Sequence, residues 1–160
     1  MTLDRLLTKK SLCTGCRACE VACVVQHEGY FGTDQSRIKI TKIDSEGIDV
    51  PNVCRLCAHP GCVSSCPTHA LHQDEETGTI QLTKKDCIGC ADCVDGCPFG
   101  VVTLHPDSGY PLICDLCEGD PSCVKRCAPG AILFGERHAL AQEKREKLAR
   151  SGKTRGKRAE

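Results

Sequence analysis

The chain has 160 residues, a formal net charge of zero and 16 cysteines, so one residue in ten is a cysteine. Cysteine supplies a quarter of the 40% hydrophobic fraction, and Leu, Ile, Val and Phe together make up only about 21% of the chain. Such a content is at the edge of what supports an ordinary apolar core. No apolar run approaches the roughly 18 residues of a transmembrane helix, and the N-terminal sequence shows neither a signal-peptide core nor twin arginines. We therefore expect no membrane insertion and a cytoplasmic protein with reduced thiols, with export bound to a signal-bearing partner left open.

The predicted elements are short and alternate with loops. Apolar and polar residues alternate with a period of two in the predicted strands, and Gly-containing turns separate them. In chain order we expect a lead-in at 1–10, then a cysteine loop and short helix at 11–27 (helix from Glu20 to Val25), and a strand at 36–43. A helix end from residue 68, a turn at Gly78 and a strand from Thr79 to Leu82 follow, and then a hairpin at 101–113.

The C-terminal segment differs in composition from the rest of the chain. The sequence favours a helix from Ala139 to Arg150, after which Ser151 and Gly152 end it. Residues 141–160 hold eight Lys and Arg against three Glu, a local charge near +5, which leaves about −5 for residues 1–140. Three interpretations stay open: a solvated, frayed tail, a docking arm for an acidic partner surface, and a nucleic-acid contact.

The cysteines fall into four groups of four, with none left over. The first and third groups share the spacing C-x2-C-x2-C-x3-C, whereas the interval between the second and third cysteines widens from x2 to x4 in the second group and to x5 in the fourth. The groups are Cys13, Cys16, Cys19 and Cys23; Cys54, Cys57, Cys62 and Cys66; Cys87, Cys90, Cys93 and Cys97; and Cys114, Cys117, Cys123 and Cys127.

Three kinds of chemistry compete for these cysteines. Disulfide scaffolds are secreted and usually shorter, and triplets spaced two apart crowd thiols that need a particular geometry to pair. Structural zinc sites bring two C-x2-C pairs together across about 15 residues, although zinc in place of one cluster stays open. The third group, followed by Pro98, matches the bacterial ferredoxin pattern in which a triplet and a distant fourth cysteine hold a [4Fe-4S] cluster. We therefore expect four [4Fe-4S] clusters.

The motifs resemble those of a known family of proteins. The segments CTGCRACEVAC, CRLCAHPGCVSSCPTHAL, CIGCADCVDGCPFGVV and CDLCEGDPSCVKRCAPGAI are similar to those of the small four-cluster electron-transfer subunits. These subunits accompany dimethyl-sulfoxide-reductase-type molybdenum enzymes, formate dehydrogenases, hydrogenases and tungsten aldehyde oxidoreductases. The resemblance spans roughly residues 8–135 and includes the widened interval of the second and fourth motifs.

The resemblance implies an α+β fold of two nested, bacterial-ferredoxin-like dicluster units, rich in loops, with short helices and small antiparallel strands. The implied divisions are an outer unit at 8–27 plus 105–135, an inner unit at 50–104, a connecting segment with a strand at 28–49, and a basic helical or frayed tail at 136–160.

The resemblance also implies a ligand pairing in which each triplet takes its fourth cysteine from another motif. The inner fourth cysteines precede Pro67 and Pro98 directly, whereas the outer ones do not precede proline. The implied sets are site A (Cys13, Cys16, Cys19, Cys127), site B (Cys23, Cys114, Cys117, Cys123), site C (Cys54, Cys57, Cys62, Cys97) and site D (Cys66, Cys87, Cys90, Cys93).

No second constellation suggests chemistry of the chain's own, because dinucleotide, P-loop and nucleophile-elbow motifs are absent from the sequence. His59 and His69 flank the second motif, either as ordinary exposed histidines or as residues that tune a cluster. Charges beside the ligands predict clusters of unequal potential, because a positive charge favours the more negative, reduced state. The basic neighbours are Arg17, Arg55, Lys84, Lys85, Lys125 and Arg126, and the acidic ones are Asp92 and Asp95.

We therefore interpret the chain as a non-catalytic electron-transfer subunit. From the resemblance, its partners are a large molybdenum- or tungsten-pterin oxidoreductase subunit at one end and a ferredoxin or flavin subunit at the other. Three alternatives stay open: a hydrogenase subunit, an iron–sulfur maturation factor, and a metal-stabilised regulatory module that contacts nucleic acid through the basic tail.

Overall fold

The computed structural model describes residues 4–136, together with Gln142, Arg145, Glu146 and Ala149. Apart from these four positions and Glu136, the predicted basic tail lies outside the described residues. In the part of the chain that the structure describes, no helix has the length and apolar character needed to cross a membrane.

The described chain consists of short elements, with four two-stranded antiparallel sheets. The sheets pair β1 with β8, β2 with β3, β4 with β5 and β6 with β7. The strands and helices are β1 (Asp4–Thr8), α1 (Ala18–Glu28), β2 (Lys39–Ile43), β3 (Ile48–Asn52), α2 (Gly61–Ser64), β4 (Leu71–Gln73), β5 (Ile80–Leu82), α3 (Asp92–Asp95), β6 (Thr103–Leu104), β7 (Pro111–Leu112), α4 (Ser122–Lys125) and β8 (Ile132–Glu136), with single 3-10 turns at Lys10–Leu12, Lys84–Asp86 and Leu116–Gly119.

Several predicted elements are confirmed, with shifted boundaries. The first helix is longer than predicted and ends at Gly29, whose left-handed backbone (φ 77°) lets its N–H bond the carbonyls of Val24 and Val25. The predicted strand at 36–43 begins only at Lys39, because the buried Ser36 hydroxyl bonds the backbone of Ile38 and forms a local turn. The hairpin at 101–113 is present as β6 and β7.

Other predictions were wrong. The N-terminal residues are not merely a lead-in, because β1 pairs with β8 and places Leu6 opposite Phe134. Strand β3 was not predicted. The expected helix end before Gly78 is instead β4, which pairs with β5 and buries Leu71 and Ile80.

Cysteines take up part of two separate small cores. One core joins residues from both ends of the chain to the middle and includes Leu6, Ile38, Leu56, Leu116 and Ile132, with the cysteines Cys19, Cys23 and Cys123. The other core contains Leu71, Ile80 and Val102, with the cysteines Cys62 and Cys93. The helix pairs divide in the same way, since α1 packs on α4 and α2 packs on α3.

The helices α2 and α3 approach so closely that only glycine fits at their contact. A Cβ atom on Gly61 would overlap the carbonyl oxygen of Gly96, and a Cβ atom on Gly96 would overlap the hydroxyl of Ser65. Because the obstacle at Gly61 is backbone, it cannot move aside without shifting α3.

Each cysteine loop turns through a left-handed residue immediately before its second cysteine. These residues are Gly15, Leu56, Gly89 and Leu116, with φ values of 64°, 45°, 69° and 62°. A non-glycine residue in this conformation costs about 1–2 kcal/mol. Burial holds the two leucines in it, since Leu56 is 1% and Leu116 5% exposed.

We expect Gly61→Ala to lower stability by about 1–3 kcal/mol, because the new methyl group overpacks the α2–α3 contact. Ser64→Ala is the matched control, since Ser64 is exposed on the same helix α2 and its hydroxyl bonds only the backbone carbonyl of Gly61. The control should change stability by less than about 0.5 kcal/mol. Thermal unfolding of the anaerobically purified proteins measures both, and equal midpoints would contradict the close contact.

We expect Gly15→Ala to be more destabilising than Gly89→Ala. Both variants carry the cost of a left-handed alanine, but a Cβ atom on Gly15 would lie 2.5 Å from the Asp49 carboxylate, whereas on Gly89 its nearest neighbour, the Gly109 carbonyl oxygen, is 3.8 Å away. The same unfolding measurement should place Gly15→Ala about 0.5–1 kcal/mol below Gly89→Ala, because the Asp49 side chain has to leave its present rotamer. Adding Asp49→Ala should recover part of that difference, and no recovery would contradict the steric explanation.

Candidate iron–sulfur sites

Three cavities of the described chain are each lined by four cysteines. The space between their lining atoms, with the open solvent at their mouths included, is about 350, 330 and 300 Å³, so they are similar in size. In each, three cysteines come from one sequence motif and the fourth comes from another. The cysteine sets are Cys23, Cys114, Cys117 and Cys123; Cys66, Cys87, Cys90 and Cys93; and Cys13, Cys16, Cys19 and Cys127.

The last four cysteines also lie together. Burial raises the pKa of the Cys62 thiol to about 11, with further contributions from nearby Cys54 and Cys97. Burial likewise raises the pKa of Cys54, which is also close to Cys57 and Cys97. The four groupings have the same members as sites A to D, while ligation by these residues stays a prediction.

All sixteen cysteines are free thiols in the structure, so the disulfide interpretation finds no support. In their buried environment, a thiol that binds no metal keeps its proton. Burial raises the pKa of Cys19 and of Cys123 to about 12 and that of Cys114 well above its ordinary value. A metal that takes these thiols as thiolate ligands must displace the protons.

Backbone groups supply hydrogen bonds to the sulfur atoms. The N–H of Arg37 donates to Cys23 Sγ at 3.3 Å, and the N–H of Ala131 donates to Cys127 Sγ at 3.2 Å. At Cys66, burial alone would raise the thiol pKa, but hydrogen bonds from the Leu71 N–H and from Thr68 lower it overall. These bonds favour the thiolate at the position where it would bind metal.

The donor chemistry fits an iron–sulfur cluster. Each site offers thiols alone, the soft ligands that select iron–sulfur clusters and zinc. The left-handed residue before each second cysteine curls the backbone into the kind of concave nest that binds anionic groups, iron–sulfur clusters among them. Triplets wrapped in this way, with a fourth thiol from another motif, follow the layout of two-cluster ferredoxins.

The sites follow one another along a row. The α1 helix carries Cys19 into site A and Cys23 into site B, one helical turn away, a rise of about 6 Å. The α4 segment links the same two sites through Cys123 and Cys127, and the α2 and α3 segments link sites C and D. Sites B and C meet where Cys54 lies close enough to Cys114 to raise its pKa, after the larger effect of burial. The order is therefore A, B, C, D.

The two ends of the row are the most accessible parts. Cys16 of site A and Cys90 of site D are exposed, whereas the other fourteen cysteines are buried or partly buried. Apolar side chains accompany both ends: Leu12 is 43% exposed beside site A, and Ile88 is 68% exposed within the loop of site D.

Several charges that the sequence placed beside the ligands are paired with opposite charges. Arg17 Nε lies 3.6 Å from Glu20 Oε2, and Lys125 pairs with Asp120. The Arg55 guanidinium lies over the ring of Phe99, 5.6 Å from its centroid. Unequal cluster potentials stay a prediction, and the acidic partners reduce the expected effect of Arg17 and Lys125.

The histidine that contacts a cysteine is not one of the two that the sequence singled out. His59 and His69 are exposed. His27, at the end of α1, instead lines the cavity of site B. It is 90 residues away from its neighbour Cys117 in the chain, and no motif marks it, so only the tertiary structure reveals it.

Comparison with known proteins identifies the family. Residues 46–137 match the model of the 4Fe-4S dicluster domain. The chain is 42% identical over 122 residues to the aliphatic sulfonate oxidoreductase polyferredoxin-like subunit of Pyrococcus furiosus. The aligned region covers 76% of this chain and 70% of that subunit. It is 32% identical over 169 residues to the electron transport protein HydN of Escherichia coli K12, with 91% and 95% covered.

A solved structure shows the same architecture. A chain of the active site complex BamBC of benzoyl coenzyme A reductase, in complex with benzoyl-CoA, superposes with a TM-score of 0.53 at 25% identity, over 94% of this chain and 91% of that chain. The free thiols, the cysteine-lined cavities and these relatives agree. The chain belongs to the 4Fe-4S dicluster domain family and is an iron–sulfur electron-transfer subunit of the kind found in oxidoreductase complexes.

Proposed function

We propose that the chain holds four [4Fe-4S] clusters, one in each of sites A to D. Sites A and B belong to the outer unit at 8–27 plus 105–135, within which the inner unit at 50–104, with sites C and D, is nested. The observation that carries this proposal is the convergence of the cysteines into four separate sets, each with three thiols from one motif and one from another.

The protein's contribution to electron transfer is spacing and exclusion of water. A bound [4Fe-4S] cluster takes up and releases a single electron. The helix turns that carry Cys19 and Cys23, or Cys62 and Cys66, keep neighbouring sites one turn apart. Buried Val53, Leu56 and Leu116 pack around the cysteines between sites B and C, where they keep water from the interior of the row.

Sites A and D are the proposed points of entry and exit. Each has the one exposed cysteine of its set, and the apolar residues Leu12 and Ile88 beside them suit contact with another protein. The row would thus split a two-electron reaction on a partner into single-electron steps, and substrate chemistry would take place on that partner.

The proposed partner is a large catalytic subunit with a molybdenum or tungsten pterin, and a ferredoxin or flavin subunit would complete the path. Two observations support a catalytic partner: the Pyrococcus relative is a subunit of an aliphatic sulfonate oxidoreductase, and the solved relative belongs to an active site complex. A cytoplasmic location agrees with sixteen free thiols.

Reductive titration of the anaerobically purified full chain tests the proposal. With one electron per cluster, we expect uptake of about four electrons per chain, followed by visible absorbance and by electron paramagnetic resonance. Uptake of about three electrons with one equivalent of bound zinc would instead support zinc in one site. A colourless chain with zinc and no labile sulfide would overturn the electron-transfer role.

A further inference from the structure

His27 occupies a defined position against one cysteine of site B. Its side chain is 13% exposed and lines the cavity shared by Cys23, Cys114, Cys117 and Cys123. The ring nitrogen Nε2 lies 3.6 Å from Cys117 Sγ and 3.5 Å from Asp115 Oδ1.

Asp115 holds the turn on which Cys117 sits. Its Oδ1 accepts the backbone N–H of Cys117 at 3.0 Å, so the carboxylate that faces His27 also orders the residue whose sulfur His27 touches. Both neighbours of Nε2 are acceptors once Cys117 is a thiolate, so Nε2 carries the hydrogen. That N–H is a donor in the neutral tautomer and in the charged ring alike, so the contact does not depend on titration of the histidine.

The contact is unlike those at the other sites. Among residues 4–136, backbone N–H groups such as those of Arg37, Ala131 and Leu71 donate to other cysteine sulfurs, and the hydroxyls of Thr68 and Ser122 bond to Cys66 and Cys117, whereas His27 offers a ring N–H. At site B, the Arg37 N–H donates to Cys23, and Cys117 has both His27 and Ser122 as hydrogen-bond partners. Hydrogen bonds to the sulfurs are one of the features that set the potential of an iron–sulfur cluster, because they stabilise its more negative, reduced state.

We propose that His27 is a positioning residue for electron transfer, whose N–H bond to Cys117 raises the reduction potential of the site B cluster, with Asp115 competing for the same hydrogen. The proposal rests on the proposed function, since it needs a cluster in site B. The raised potential then belongs to site B, inside the row, so an electron there is held between the exposed ends at sites A and D.

His27, Asp115 and Cys117 also offer one ligand atom each within 4.8 Å of one another, a trio able to bind a single metal ion. Such an ion would withdraw Cys117 from the other three thiols of site B. The two arrangements are exclusive, so the metal content of the wild-type chain distinguishes them.

Potentiometric titration of the full chain, followed by electron paramagnetic resonance, tests the hydrogen bond. His27→Leu removes the donor and should lower one of the four reduction potentials. We expect a roughly tenfold fall in the equilibrium constant for reduction, which corresponds to a shift of about 59 mV for a one-electron couple. His27→Gln keeps an amide N–H near the position of Nε2 and should restore most of the shift. His72→Leu, which removes an exposed histidine on β4, should change no potential.

Asp115→Asn supplies a second readout that does not depend on the fold of the leucine variant. An asparagine still accepts the Cys117 N–H, but it removes the negative charge and weakens the competition for His27. The site B potential should therefore rise, and it should rise less when His27→Leu is also present, because the two residues share one hydrogen.

Four outcomes would overturn the inference. Unchanged potentials in His27→Leu at full iron content would show that the contact does not tune the cluster. The same conclusion would follow if Asp115→Asn raised the site B potential equally in the wild-type chain and in His27→Leu. A His27→Gln shift as large as that of His27→Leu would show a packing role. Zinc bound to the wild-type chain and lost with His27→Leu would establish the metal ion instead. A wild-type chain without iron and sulfide would contradict the proposed function itself.

Discussion

The arrangement depends on one local constraint, the placement of the third and fourth cysteines of every motif four residues apart on a short helix or the turn that follows it. In α1 these are Cys19 and Cys23, which line neighbouring cavities. Each motif therefore contributes to two sites, and no site is complete from one motif alone. In the proposed function, formation of one site would order a cysteine ligand of its neighbour, and helix geometry would set the spacing along the row. The close contact of Gly61 with Gly96 holds α2 against α3 and so also fixes the spacing between neighbouring sites.

Thiols and apolar side chains share the interior. The two cores contain five buried cysteines, and burial gives several of these thiols raised pKa values. Such an interior has little apolar area to offset the entropy of folding. In the proposed function, metal–thiolate bonds supply that cohesion, as they do in small metal-dependent domains. The clusters would then be structural as well as electronic components, and the thin apolar composition would follow from their presence.

Local patterns made part of this structure predictable. The family resemblance that the cysteine motifs carry implied groupings that the structure also assembles, and the hairpin of β6 and β7 follows from its turn sequence. Pairing of β1 with β8 was missed because it joins residues at opposite ends of the described chain. Strand β4 was missed because three residues carry too little periodicity. His27 was missed because its neighbours Asp115 and Cys117 belong to another motif, and only folding brings them together.

The exchange of the fourth cysteine between motifs is the central claim, and it is tested most directly by comparing serine variants. Cys66 lies in the second motif with Cys57, but it lines the cavity of Cys87, Cys90 and Cys93. In electron paramagnetic resonance of the reduced chain, Cys66→Ser should alter the same signal as Cys87→Ser and leave the signal altered by Cys57→Ser intact. If Cys66→Ser instead altered the signal that Cys57→Ser alters, the motifs would each hold their own metal centre and the account would be contradicted.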